Sequence, residues 1–210
     1  MVSKKGLLII LSSPSGGGKT SVYKEILRRN PKIFYSVSAT TRPKRVNEID
    51  HESYHYLSEE EFLRQRDSGL FAEWAEVYGY YYGTYKSILD KVVQSGDIAL
   101  MDLDTQGGRS LSALYQEAVT IFILPPSLQV LKERLMKRGT DDSAVCERRL
   151  REALKEIREW PNYKYVVVND VLEETVKSVE TIIAAESLRS SIYTPGHFER
   201  NYYTNDYGLT

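Results

Sequence analysis

Four short apolar runs punctuate the chain, at residues 7–11, 98–103, 119–124 and 165–168. Each is continuous rather than alternating and rich in branched side chains, the pattern of strands buried on both faces. Between them the apolar period changes. Val22, Ile26 and Leu27 within residues 19–29, then Leu128, Leu131 and Leu135, then Leu150, Leu154 and Ile157 recur at helical spacing. Strands alternating with helices predict an α/β fold, a three-layer α/β/α core around a parallel sheet. Ligands bind beyond the carboxyl ends of the strands in such sheets, and residues 13–20 and 102–104 fall there.

Residues 33–85 break this rhythm. Short, tyrosine-rich strand candidates at 34–38, 54–57, 71–78 and 80–85 surround one helix, for which Ser58 offers an N-cap, Glu61 the reciprocal capping-box carboxylate and Gly69 a stop. The pattern predicts a small, mostly antiparallel sheet inserted into the main domain, where a second substrate can be held. Residues 138–149, with Gly139, Thr140, Asp141 and Asp142 leading into a basic helix, suggest a mobile helical lid. The expected division is therefore a core from 1–36 and 85–190, a lid at about 138–148, an insertion at 37–84, and an aromatic tail at 191–210 with no assigned role.

Composition narrows the partners. A formal net charge of −1 gives no overall field to draw nucleic acid or an anionic membrane, so any anion site must be local. Cys146 is the only cysteine, which excludes an intramolecular disulfide and suggests a reducing compartment. Lys4 and Lys5 before residues 7–11 imitate a secretion signal, but the apolar run is short and enters the glycine-rich segment directly, so a buried first strand in a cytoplasmic protein is expected.

The segment LLIILSSPSGGGKTS, residues 7–21, carries the most specific chemistry. A strand opens into a glycine-rich turn and then a helix, so consecutive amides and the positive helix end can hold phosphate oxygens. Ser13, Pro14, Ser15, Gly16, Gly17, Gly18, Lys19 and Thr20 form this candidate phosphate loop, with Lys19 reaching the β- and γ-phosphates and Thr20 offering a hydroxyl to Mg²⁺. Ser13 stands where the general pattern begins with glycine.

A second constellation lies in the insertion. SVSATTRPKR, residues 36–45, sets Arg42 and Arg45 beside small hydroxyls, and their guanidinium forks suit a phosphate as well as a solvated basic loop. Tyr54 and Tyr82 can donate to the same phosphate or simply pack. Along FAEWAEV, strand alternation places Phe71, Glu73, Ala75 and Val77 on one face, so Glu73 is either a buried carboxylate that needs donors or an edge residue facing water. Guanine supplies two parallel donors, its ring N–H and its amine, while Ser38 or Thr84 can donate to its oxygen.

Taken in order, SPSGGGKT, SVSATTRPKR, YHYLSEEEF, LFAEWAEVYGYYYGT, LMDLDTQG, ILPPS, RLMKRGTDD and VVND resemble the motifs of guanylate kinases over roughly residues 6–188. The resemblance implies reversible transfer of the γ-phosphoryl group of Mg-ATP to GMP or dGMP, in a monomer or homodimer. It assigns the GMP phosphate to the counterparts of Arg42, Arg45, Tyr54 and Tyr82, and the base to those of Ser38, Glu73 and Thr84. It sets Asp104 near GMP, Asp102 near the metal through water, Arg134, Arg138 and Arg149 around the transferred group, and Asn169 beside adenine. Lys19 and Arg42 join those three arginines as the catalytic set. The chain departs from the family at Asn47 and His51, where glycine is frequent, and at Ser53, where aspartate is common; these bear on the loop 46–53. A kinase for another monophosphate and a non-catalytic binding module are the rival readings.

Overall fold

In the computed structural model, residues 4–137, 143–194 and 197 are described. A parallel sheet forms around three runs dense in Val, Ile and Leu that can be buried on both faces, with two more exposed strands at its edges. Its strands are β1 (Leu7–Ser12), β2 (Ile33–Tyr35) and three later ones numbered β7 (Ile98–Asp102), β8 (Val119–Leu124) and β9 (Tyr165–Val168), in the order β2-β7-β1-β8-β9. Every pairing is parallel. All six residues of β1 are buried, as its central place requires.

Helices cover both faces. Val22 and Ile26 of α1 (Lys19–Arg29) pack with Val176, Val179 and Ile183 of the last helix, α7 (Leu172–Glu186), onto Leu7, Ile9 and Leu11. On the other side, α3 (Lys86–Ser95) brings Leu89 and Val92, and α4 (Thr105–Leu114) brings Leu111, against Leu8, Ile10 and Met101. The three-layer α/β/α core is thus present. Its long helical hairpin, α5 (Leu128–Lys137) and α6 (Ser143–Ile157), makes a satellite cluster of Leu131, Leu135 and Ala153, so Ala153 takes the inner place while Leu154 is exposed.

The insertion forms a second sheet of β3 (Ala39–Thr40), β4 (His55–Tyr56), β5 (Phe71–Val77) and β6 (Tyr80–Tyr85), in the order β4-β3-β6-β5, with α2 (Glu59–Asp67) over it. Two of its three pairings are antiparallel, β3 with β4 being parallel. Residues 34–38 do not belong to it: Ile33–Tyr35 adds to the core sheet beside β7, because Ile33, Phe34 and Tyr35 extend that sheet's edge in parallel register. Ser58 caps α2 as expected, its hydroxyl accepting from the Glu61 amide at 3.1 Å, but the Glu61 carboxylate turns outward to Arg64 and Gln65 instead of closing the box. Gly69, at φ +70°, ends the helix with amides of residues 69 and 70 donating to Arg66 and Gln65 carbonyls. Among the described residues no helix is long and apolar enough to cross a membrane.

Candidate active site

β1 delivers the chain to the glycine-rich turn. Gly16 and Gly18 take φ +86° and +91°, and a Cβ on Gly18 would lie 2.2 Å from Asn169 Nδ2. That approach is held by a chain of bonds: Asn169 Nδ2 donates to the Gly17 carbonyl at 2.9 Å, Thr175 Oγ1 donates to Asn169 Oδ1 at 3.2 Å, and Arg134 Nη2 donates to the Asn169 carbonyl at 3.0 Å. Gly16, Gly18, Ser21, Arg134, Asn169 and Leu172 line a cavity of about 350 Å³ on this outer side of the loop.

On the inner side, the register pairing Leu11 with Asp102 sets the ends of β1 and β7 together. Lys19 Nζ therefore reaches the Leu103 carbonyl at 2.7 Å and stands 3.8 Å from Asp102 Oδ2. Asp102 Oδ1 accepts from the Tyr35 hydroxyl, and the Tyr35 ring stacks on Tyr23 at 5.0 Å. Burial, and then the Asp102 charge, push the Tyr35 phenol far above its ordinary pKa, so it remains a donor. The Ser15 amide donates to Glu156 Oε2 at 2.8 Å and the Gly17 amide to the Pro14 carbonyl.

Across the cleft, Arg42 is buried and pinned. Its Nη2 donates to Glu48 Oε1 at 2.7 Å, its Nη1 to the Pro43 carbonyl at 2.8 Å, and its fork lies 5.4 Å over the Tyr54 ring. Glu48 also accepts from the Arg45 amide and the Tyr56 hydroxyl. Although burial opposes it, these donors hold the Glu48 carboxyl down to about 2. Just beyond, His51 adopts φ +63°, a left-handed backbone that favours glycine, which gives the unusual residue in this loop a physical cost.

Glu73 is buried, but the face it shares differs from simple alternation. A bulge between Phe71 and Glu73 pairs Phe71 with Tyr85 and Glu73 with Thr84. Phe71 consequently packs on Phe62 in the insertion's own core, while Glu73, Ala75 and Tyr82 face the phosphate loop, with Thr84 beside Glu73. Thr84 Oγ1 donates to Glu73 Oε1 at 2.5 Å. Burial pushes the Glu73 carboxyl up to about 7, with the Thr84 bond opposing and the Asp104 charge adding. Asp104 caps α4, accepting from the Gly107 amide at 2.7 Å, and a Cβ on Gly107 would stand 2.8 Å from Glu73 Oε2. A bare glycine there is what lets the carboxylate approach the helix's positive end.

One cavity of about 290 Å³ brings together Ser13, Pro14, Ser15, Gly16, Gly18, Lys19, Thr20, Ser38, Arg45, Tyr54, Glu73, Tyr82, Asp102 and Asp104. Arg42 and Thr84 stand behind that lining, bonded to groups in or beside it, and Gly17, Arg134 and Asn169 belong to the outer cavity's framework. Arg149 lies on α6. Arg138 and the start of the expected lid fall outside the described residues. A glycine-rich loop faces a buried carboxylate with a hydroxyl partner, and the family model described as Guanylate kinase matches residues 5–186. The chain belongs to the guanylate kinase family.

Comparison with known proteins agrees. The guanylate kinase of Carboxydothermus hydrogenoformans is 43% identical over 185 residues, covering 88% of this chain and 91% of that protein. That of Symbiobacterium thermophilum is 44% identical, covering 89% and 88%. Among solved structures, the guanylate kinase from Anaplasma phagocytophilum is 32% identical, with a TM-score of 0.82 over 97% of this chain and 98% of that one. Membership makes the protein a phosphotransferase.

Reading residues alone missed five supporting groups: Tyr35 on Asp102, Glu48 on Arg42, Gly107 beneath Glu73, Thr175 on Asn169 and Glu156 on Ser15. Asp104 before a helix and Gly107 three residues on offered a local capping signal. The others join partners distant along the chain or use ordinary surface residue types, with no spacing to reveal them.

Proposed function

We propose that this cleft aligns the two nucleotides of the family's reaction through the residues grouped above, with Glu73 as the reader of the acceptor base. The reaction is ATP-dependent phosphorylation of GMP. The observation that carries the residue assignment is the buried Glu73–Thr84 pair lying in the same cavity as Lys19. An ionised Glu73 accepts from two parallel guanine donors, whereas adenine offers an acceptor at the ring position. Thr84 orients that carboxylate, and Ser38 donates to the guanine oxygen. Arg45, Tyr54 and Tyr82 take the acceptor phosphate, with Arg42 joining when its fork is shared between Glu48 and the nucleotide.

On the donor side, the amides of Gly16, Gly18, Lys19 and Thr20 and the Lys19 ammonium hold the triphosphate, and Asn169 borders the adenine. Arg134, Arg138 and Arg149 offset the charge of the transferred group. Repulsion between two polyanions is the main obstacle, so positioning and charge neutralisation supply the catalysis. Among the described residues no group of three or more His, Cys, Asp or Glu is arranged to hold a metal ion. Thr20 and Asp102 nevertheless suit Mg²⁺, which takes few protein ligands, keeps waters and is carried by phosphate oxygens. Bound there, it would neutralise donor phosphate charge. On this reading residues 37–84 are the GMP-binding domain, about 138–148 the lid, dGMP a second acceptor, and the lone Cys146 fits a cytoplasmic location.

The test is a coupled ADP-release assay with ATP and each common monophosphate. GMP is expected to exceed AMP, CMP and UMP by at least about 10³-fold in kcat/KM, as sites built to pair donors discriminate strongly. Comparable turnover of AMP would overturn the role of Glu73.

A further inference from the structure

α6 carries Arg149 and Glu156 seven residues apart, two helical turns on one face, about 10.5 Å along the axis. The helix meets the phosphate loop in two ways. Leu150, Ala153 and Ile157 pack on Leu131 and Leu135 of α5, and those leucines close on Gly16, where a Cβ would lie 2.9 Å from Leu131 Cδ1. Apolar packing fixes distance but is non-directional, so it sets a helix's axial register weakly. The second contact is directional: Glu156 Oε2 accepts from the Ser15 amide at 2.8 Å. It turns the Ser15 amide toward the helix, while the Gly17 amide donates to the Pro14 carbonyl.

We propose that Glu156 is a positioning residue for phosphoryl transfer, fixing the register of α6 on the phosphate loop so that Arg149 arrives at the transferred group. The proposal rests on the reading that Arg149 acts there. Glu156 borders both the phosphate-loop cavity and a neighbouring one of about 520 Å³ lined by Glu76, Tyr78, Gln106, Arg148 and Glu152. The Ser15 bond is a polar tether between the helix and the loop at the edge of that cavity. Burial raises the carboxyl's pKa, the Ser15 amide opposing and Asp104 adding, while Lys19 favours the charged form. Glu156 is half-buried near Asp104 and Glu152, a setting whose cost is offset by accepting from a fixed amide.

Steady-state kinetics and thermal midpoints of Glu156→Gln, Glu156→Asp, Glu156→Ala, Arg149→Ala and Arg149→Ala/Glu156→Ala test the idea. Gln keeps an acceptor at the same reach and is expected to hold kcat within about threefold, whereas Asp, one methylene short, and Ala lose about tenfold or more with KM for GMP unchanged. In the Arg149→Ala background, Glu156→Ala should cost less than about twofold further. Full additivity of the two losses would overturn the positioning role while leaving Arg149 in place. Wild-type kcat in Arg149→Ala alone would instead remove the arginine's role, and this inference with it. If the Ala variants do not fold, the pair Gln and Asp decides: equal kcat in both refutes a reach-dependent contact.

Discussion

On the proposed reading, Glu73 joins a cost in stability to a use in recognition. Its carboxyl titrates near 7 in the fold against an ordinary value of 4.5, burial being the main cause. Between those values the folded state binds the extra proton, so its contribution is favourable below about pH 4.5 and is lost as pH rises through 7. The full loss is of order 3 kcal/mol. Glu73→Gln is therefore expected to stabilise the protein at pH 8 and to leave stability at pH 4 unchanged, which denaturant titration at the two pH values checks. The same variant should raise KM for GMP by about tenfold to a hundredfold, the worth of a hydrogen bond to a charged group. In the wild type, kcat/KM for GMP should fall as pH drops below about 7, because protonated Glu73 no longer accepts twice. The acceptor phosphate also titrates, near pH ~6. Only the limb due to Glu73 should vanish in Glu73→Gln.

Elements position these side chains through local irregularities more than through regular structure. The bulge at Phe71–Glu73 sends Phe71 to the insertion's core and Glu73 to the cleft; strict alternation along FAEWAEV placed both on one face. Burial of Glu73 was legible from its apolar neighbours, but a bulge depends on the partner strand and leaves no mark in the run itself. At the other end of the hairpin, Tyr78 and Gly79 take φ +53° and +80°, the two-residue turn that matches strand twist and prefers Asn-Gly. Tyr78 is exposed and bears the left-handed cost. Tyr78→Asn is expected to raise stability by about 1 kcal/mol, measured as a higher denaturant midpoint at unchanged m.

At the scale of the whole molecule, the insertion borrows its stability. Its own core cluster has only Ala39, Phe62 and Phe71 buried, and Phe62, although fully buried, contributes only about 1.5–3 kcal/mol. Ala72 packs into the main core, and Gly107 of α4 lies against Glu73. Residues 37–84 made alone should accordingly show no cooperative thermal transition, whereas the intact chain should unfold in a single one. Circular dichroism melts of both decide this. Shared packing of that kind joins the cleft-facing side of the insertion to the core.

What the chain determined by itself was whatever is written in short windows. The four continuous apolar runs placed four of the five core strands, the glycine-rich turn before Lys19 and Thr20 marked the passage from β1 to α1, and Ser58 and Gly69 bounded α2, because periodicity, φ freedom and capping act over a few residues. Tertiary structure decided what depends on partners far along the chain. Ile33–Tyr35 joined the core sheet because β7 offered a parallel edge, Arg42 was tied by Glu48, Asp102 was oriented by Tyr35, and Glu156 came to Ser15 from 141 positions away. Directional bonds between remote polar groups exist only once packing has brought their ends together, and no local pattern encodes that meeting.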